Sequence, residues 1–181
     1  MLSVILYTGT DAYMDLRWDE IQHASIPFNI QEQKWPIFGK VLEEAIYILS
    51  QTDDEFQPEI VYHGLKDIEI DPETFNNEVS IGTQGNPCSR FGYGTFVSTS
   101  WNPRVALGFM SGKGLLLKIF LNHDNYYGPV FGADVSWISK FSTESEYLIV
   151  RSAIFFIRTD PYYDTELNCQ VVEVEPRRHG T

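Results

Sequence analysis

The spacing of apolar positions changes along the chain, and that change predicts where helix gives way to strand. After Pro36, residues Ile37, Val41, Ala45 and Leu49 fall four apart, with Phe38, Leu42 and Ile46 widening the same stripe. Such spacing predicts an amphipathic helix that begins with proline at N1, where its missing N–H costs nothing. Residues 2–6 form a short apolar run that reads as a first strand. Gln57-Pro58 breaks the helical pattern, and Ile60-Val61-Tyr62 reads as a short strand ending at His63-Gly64. Residues 71–94 are rich in Pro, Asn, Gly and Ser, the composition of a long irregular connection that carries a binding surface. Beyond it, residues 96–98, 115–121, 147–150, 153–157 and 170–174 read as strands, being rich in apolar, β-branched or aromatic side chains. One short helix interrupts them, with Asn102 as cap, Pro103 at N1, and Val105, Ala106 and Phe109 as its buried face. Helices early and many short strands late predict an α+β domain whose core is a pair of packed sheets.

Apolar segments recur from Val4 to Val174 without repeat, low-complexity tract or linker, so residues 1–181 are expected to form one domain. At 181 residues the chain is long enough to bury a core without disulfide or metal staples. Hydrophobic residues at 43% and aromatics at 14% exclude a disordered tail. Among apolar runs, none approaches the roughly 20 residues needed to span a bilayer, and residues 2–6 are too short for a signal-peptide core. A soluble, monomeric, cytoplasmic protein is therefore expected, with no membrane partner. Only Cys88 and Cys169 occur, without a CxxC pair or a Cys/His cluster at zinc spacing, so neither disulfide nor metal is expected. His23 and His123 read as surface residues, Arg177-Arg178-His179 as a solvated end, and the Tyr126-Tyr127 and Tyr162-Tyr163 pairs as core or turn packing. A net charge of -12 opposes the counterion-release attraction of nucleic acids, which excludes DNA and RNA as partners.

Three small constellations carry candidate chemistry. In Tyr62-His63-Gly64 an imidazole can hydrogen-bond a ligand hydroxyl and the glycine lets a ligand approach bare backbone; a surface histidine beside a turn glycine is the alternative. In Phe96-Val97-Ser98-Thr99-Ser100, alternation puts Ser98 and Ser100 on one strand face, where hydroxyls can position a carboxylate or a sugar, or simply meet solvent before the helix cap. Glu144-Ser145-Glu146 directly precedes an apolar run; if extended, both carboxylates share a face, and each raises the other's pKa. A solvated acidic loop tip is the alternative.

The order and separation of these segments resemble the three motifs of the ADP-ribosyltransferase superfamily. The likeness extends further: Leu6-Tyr7-Thr8-Gly9 resembles the opening of arginine-specific members, and "FVSTSWNPRVALGF" from Phe96 to Phe109 is similar to their serine motif and following helix. The stretch "GADVSWIS" from Gly132 to Ser139, leading through Phe141 to Glu144 and Glu146, resembles their loop and paired-glutamate element. At the first motif His63 stands where the arginine-specific branch has an arginine, and a His-Gly pair there is similar to diphtheria toxin and the poly-ADP-ribose polymerases.

The resemblance implies an ADP-ribosyltransferase fold with two packed central sheets and N-terminal helices, and mono-ADP-ribosyl transfer from NAD, as co-substrate, to a protein acceptor. It implies catalytic roles for Glu146, Glu144 and Ser98, and NAD contacts from His63, Gly64, Ser98, Thr99, Ser100 and Glu146. Glu146 would stabilise the oxocarbenium-like transition state, Gly64 would hold the carboxamide and His63 the other ribose. Glu144, with Trp137 and Phe141, would face an arginine acceptor, whose guanidinium a carboxylate can grip bidentately; buried anchoring of the loop is the alternative for the two aromatics. NAD is an anion, so in a chain this acidic its pyrophosphate needs peptide N–H groups or local cations, of which His63, Arg90 and Arg104 are nearest the motifs. An inactive NAD-binding or protein-interaction module and an NAD glycohydrolase are the alternatives.

Overall fold

In a computed structural model of the chain, residues 2–24, 34–52, 58–70, 90–110, 113–121, 132–151 and 153–177 are described. Residues 71–89 with Cys88, and His123, Tyr126, Tyr127, Arg178, His179 and the His23 side chain, lie outside them. The first element corrects an expectation: residues 2–6 belong to a helix, α1 (Leu2–Thr8), not a strand. Val4 and Tyr7, one turn apart, are fully buried while Leu2, Ile5 and Leu6 are exposed, the mark of a helix with one inward face. Helices α2 (Thr10–Ala24) and α3 (Pro36–Thr52) follow.

Along the predicted α3 the buried line is shifted by one position. Leu42 and Ile46 are fully buried and Phe38, Ala45 and Leu49 pack beside them, whereas Ile37 and Val41 are 76% and 51% exposed. In chain order the strands are β1 (Ile60–Lys66), β2 (Arg90–Gly92), β3 (Val97–Ser100), β4 (Gly114–Phe120), β5 (Gly132–Asp134), β6 (Glu146–Ile149), β7 (Ile154–Ile157), β8 (Tyr162–Asp164) and β9 (Cys169–Arg177). Helix α4 (Pro103–Met110) lies between β3 and β4 in sequence. Among the described residues no helix is long and apolar enough to cross a membrane.

The chain divides into two compact units. The first comprises Met1–Gln57, Tyr93–Ser98 and Phe131–Ala153. Its strands run β3, β6, β5, with Ala133 of β5 opposite Leu148 of β6 in an antiparallel pair. The three helices supply Val4, Tyr7, Leu16, Leu42 and Ile46 to a core completed by Phe96, Ala133, Val135 and Leu148. Tyr7 meets Phe96 edge-on at 5.5 Å and donates its hydroxyl to the Phe96 carbonyl at 3.5 Å.

The second unit comprises Pro58–Gly92, Thr99–Val130 and Ile154–Thr181. Its strands run β2, β7, β9, β4, β1, with the Thr99–Ser100 end of β3 beside β1 and β8 pairing β9. The β4 and β9 pair is parallel, with Leu116 opposite Val171. Strand β1 extends to Lys66, so His63 and Gly64 lie within it rather than at its end, opposite Leu117 and Leu116 of β4. As predicted, Asn102 caps α4, its side-chain oxygen accepting from Arg104 N–H at 3.1 Å. The buried face of α4 is Ala106 and Met110, packed with Leu116, Cys169 and Val171, while Phe109 is 56% exposed. Tyr162 and Tyr163 lie on the exposed edge strand β8, not in a core, and the Arg177 guanidinium sits 4.4 Å from the Phe156 ring.

Candidate active site

Glu146 opens β6, and its approach departs from the extended path that alternation requires. Residues Ser142–Glu144 form a 3-10 turn, and Ser145 adopts a left-handed conformation at φ 50 and ψ 50. Only Glu146 is in the strand, so a turn rather than a shared strand face places Glu144 near it. A serine in the left-handed region costs about 1–3 kcal/mol, a strain that persists where surrounding structure imposes it.

Both oxygens of the buried Glu146 carboxylate are held by hydroxyls. Ser98 Oγ donates to Oε1 at 2.7 Å and Ser139 Oγ donates to Oε2 at 2.9 Å. The Phe141 peptide N–H donates in turn to Ser139 Oγ at 3.2 Å, leaving the hydroxyl proton for the carboxylate. Burial pushes the Glu146 carboxyl above the usual carboxylate range, and the hydrogen bonds from Ser98 and Ser139 oppose it. Glu144 is also raised, by its own burial first and then by the Glu146 charge. The two carboxylates therefore differ in setting: one is buried and fixed by two donors, the other is partly open.

Ser139 is a contact that sequence reasoning missed. It lies seven residues before Glu146, and the chain between them turns rather than running as one helix or strand, so no regular period pairs the two. The Val135 peptide brings the two together, its N–H donating to the Glu146 carbonyl at 3.0 Å and its carbonyl accepting from Ser139 N–H at 2.7 Å. Ser136 N–H donates to the Asp134 carboxylate at 2.8 Å, a local turn that a sequence signal of Asp followed two residues later by Ser could have flagged. Ile138 packs on the core, whereas Trp137 is 57% and Phe141 38% exposed. The two aromatics are therefore not the anchors of this loop.

In the second unit His63 is half-buried and Gly64 points to the opposite face of β1. That face is covered by α4: a Cβ on Gly64 would overlap the Ala106 carbonyl oxygen and press on Met110 at 2.8 Å. Glycine is thus required here by close helix approach. Ser100 is buried opposite Tyr62, and its Oγ accepts from Asn102 N–H at 3.0 Å, while the Thr99 side chain is buried. Of the sequence-derived site residues, the structure joins Ser98, Glu144 and Glu146 in the first unit and places His63, Gly64, Thr99 and Ser100 in the second. Among the described residues no group of His, Cys, Asp and Glu side chains is placed to hold a metal.

No protein-family model matches the sequence, and no curated protein sequence matches it. Solved structures do. The ADP-ribosyltransferase HopU1 of Pseudomonas syringae pv. Tomato DC3000 superposes with a TM-score of 0.66 at 19% identity, over 97% of this chain and 75% of that one. Exoenzyme S of Pseudomonas aeruginosa, in complex with human 14-3-3 protein beta and bound to carba-NAD, gives 0.58 at 20% identity over 96% and 71%. The ADP-ribosyltransferase Vis, in complex with agmatine, gives 0.56 at 16% identity over 98% and 73%; Vis is a toxin from Vibrio splendidus. The α+β architecture described above is the ADP-ribosyltransferase fold.

Proposed function

Starting from that fold, we propose that this chain is a mono-ADP-ribosyltransferase that moves ADP-ribose from NAD to an arginine side chain of a protein acceptor and releases nicotinamide. The observation that carries this reading is the Glu146 carboxylate, buried and gripped on both oxygens by Ser98 and Ser139. The bond between nicotinamide nitrogen and the anomeric carbon breaks with its electron pair leaving on nicotinamide, so positive charge develops on the ribose. A carboxylate held in one orientation stabilises that charge without reorganising at the moment of reaction. Carba-NAD bound to exoenzyme S supports NAD as the donor.

Glu144 faces the acceptor in this reading. As a guanidinium nitrogen bonds to the anomeric carbon, the proton it loses passes to Glu144, whose raised pKa makes it a better base than a solvated carboxylate. Exposed Trp137 and Phe141 offer ring faces on which a guanidinium can stack. Agmatine bound to Vis supports a guanidine acceptor. By motif position His63 would fix the other ribose and the Gly64 backbone the nicotinamide carboxamide, with Thr99 and Ser100 as further NAD contacts.

Nicotinamide release by the purified protein and by Glu146→Gln, with labelled NAD and both agmatine and lysate protein as acceptors, tests the reading. The expected result is release lowered about 100- to 1000-fold by the substitution, with label on protein and agmatine. Release without label would make the chain an NAD glycohydrolase, and NAD bound without release would make it a binding module.

A further inference from the structure

Glu20 of α2 is a buried carboxylate that the proposed reaction does not use. Its side chain is 4% exposed, it accepts from Arg151 Nη1 at 3.5 Å and from the Phe96 peptide N–H, and its Oε2 has no hydrogen-bond partner among the described residues. Arg151 is shared, its Nε and Nη2 both reaching Glu43 Oε2 at 3.1 Å. The guanidinium also lies 5.8 Å from the Phe96 ring centroid, and α3 makes room for it at Gly39, where a Cβ would stand 2.7 Å from Arg151 Nη1. Among the described residues the charged groups acting on Glu20 are Arg151 after β6 and Asp19 on α2, while Glu43 on α3 reaches it through Arg151; Asp19 is itself engaged by the Lys34 and Trp35 peptides at 3.0 Å. A buried carboxylate with a spare oxygen is costly, and an apolar residue would fill the same space.

The position of its partners gives this group a use. Phe96 lies two residues before Ser98 on the approach to β3, and Arg151 lies five residues after Glu146, just beyond β6. We propose that Glu20 is a positioning residue for the Ser98–Glu146 pair, acting through the Phe96 peptide and the Arg151 guanidinium to hold the two strands that carry it. The proposal rests on Glu146 being the carboxylate of ADP-ribosyl transfer. Burial, opposed by Arg151 and the Phe96 N–H, pushes the Glu20 carboxyl up to about 7. Its proton occupancy therefore changes near neutral pH, and the partnerless oxygen is the natural place for that proton. Ionised Glu20 attracts both donors; protonated Glu20 leaves Arg151 to Glu43, to which it is already closer. Turnover rises with pH through this interval while KM for NAD stays constant, because Glu20 touches no ligand.

The test is kcat and KM for nicotinamide release from about pH 5.5 to about pH 8.5, for wild type, Glu20→Gln and Glu20→Asp. Wild-type kcat should show a step of roughly 3- to 10-fold near neutrality, the difference between a charge-assisted and a neutral hydrogen bond. Glu20→Gln should lack the step and remain at the lower plateau, with Glu20→Asp restoring part of it. A wild-type step in Glu20→Gln, or an effect on KM alone, overturns the proposal. Amide signals of Ser98 and Glu146 followed by NMR across the same pH range decide the matter without turnover. If the wild type cleaves no NAD, the transferase reading fails separately, and a neutral-pH step in these signals that Glu20→Gln abolishes still upholds Glu20. An unaltered step refutes it. Should Glu20→Gln not fold, differing midpoints for the Glu20 carboxyl and the Ser98 amide in wild type refute it equally.

Discussion

Ser139→Ala removes one of the two hydroxyls that hold Glu146 and leaves Oε2 of a buried carboxylate without its 2.9 Å donor. A hydrogen bond to a charged group is worth about 1.5–3 kcal/mol, and the Ser139 hydroxyl opposes the effect of burial, so the substitution should raise the Glu146 pKa further. In the proposed mechanism transfer needs ionised Glu146, so the acid limb of nicotinamide release should move to higher pH. Stability supplies an independent check. The folded-state pKa of Glu146 already lies above the ordinary 4.5, so its protonated form is favoured by folding. That contribution is complete in acid and is lost as pH rises through the folded pKa. The variant extends the loss to higher pH, so its destabilisation should grow from about 1 kcal/mol in acid, where a neutral hydrogen bond is missing, to about 2–3 kcal/mol above the shifted pKa. Denaturant unfolding at several pH values, beside the release profile, measures both. Ser98→Ala should act in the same direction, and the double variant should fall short of additivity because both hydroxyls restrain one carboxylate. A Ser139→Ala acid limb superimposable on wild type, with a destabilisation independent of pH, refutes the reasoning.

Gly64→Ala should destabilise by about 1–3 kcal/mol, since the added methyl meets the Ala106 carbonyl of α4 rather than a movable side-chain end; an unchanged Tm would show that α4 does not approach β1 as described. Glu144→Gln should abolish transfer to agmatine while leaving nicotinamide release within about 3-fold, because the proposed mechanism assigns the ribose charge to Glu146; equal loss of both would remove the division of labour between the two carboxylates. Glu20, whose pKa rises from 4.5 to about 7 on folding, should make the protein less stable as pH rises across that interval by about 3 kcal/mol. Denaturant unfolding of Glu20→Gln should lack this slope, and a slope equal to wild type would show that Glu20 is not its source. The loss of stability with pH is opposite in sign to the gain in turnover, as expected of a group kept for activity.

Local period and capping made α3 and α4 legible in the sequence, and alternating or β-branched runs did the same for β4, β6, β7 and β9. The ordered motifs were legible too, and the resemblance they carry agrees with the fold. Ser98 and Glu146, 48 residues apart, meet in the structure. What period alone leaves open is which of two structures a short run takes: residues 2–6 are apolar enough for either, and the contacts of Val4 and Tyr7 with Leu42, Ile46 and Phe96 settle it as helix. The α3 stripe likewise spans more than half a turn of apolar positions, and only the packed neighbours select Leu42 and Ile46 over Ile37 and Val41. Ser145 in a left-handed turn overrides the alternation expected of Glu144 and Glu146. The contact between Ser139 and Glu146, and that between Glu20 and an arginine 131 residues away, obey no local spacing. A sequence carries the repeat that builds each element and the residue types that a reaction needs. Long-range partners are chosen by which faces can be buried together, and that choice belongs to tertiary structure, where desolvation and hydrogen bonding act on groups the chain leaves far apart.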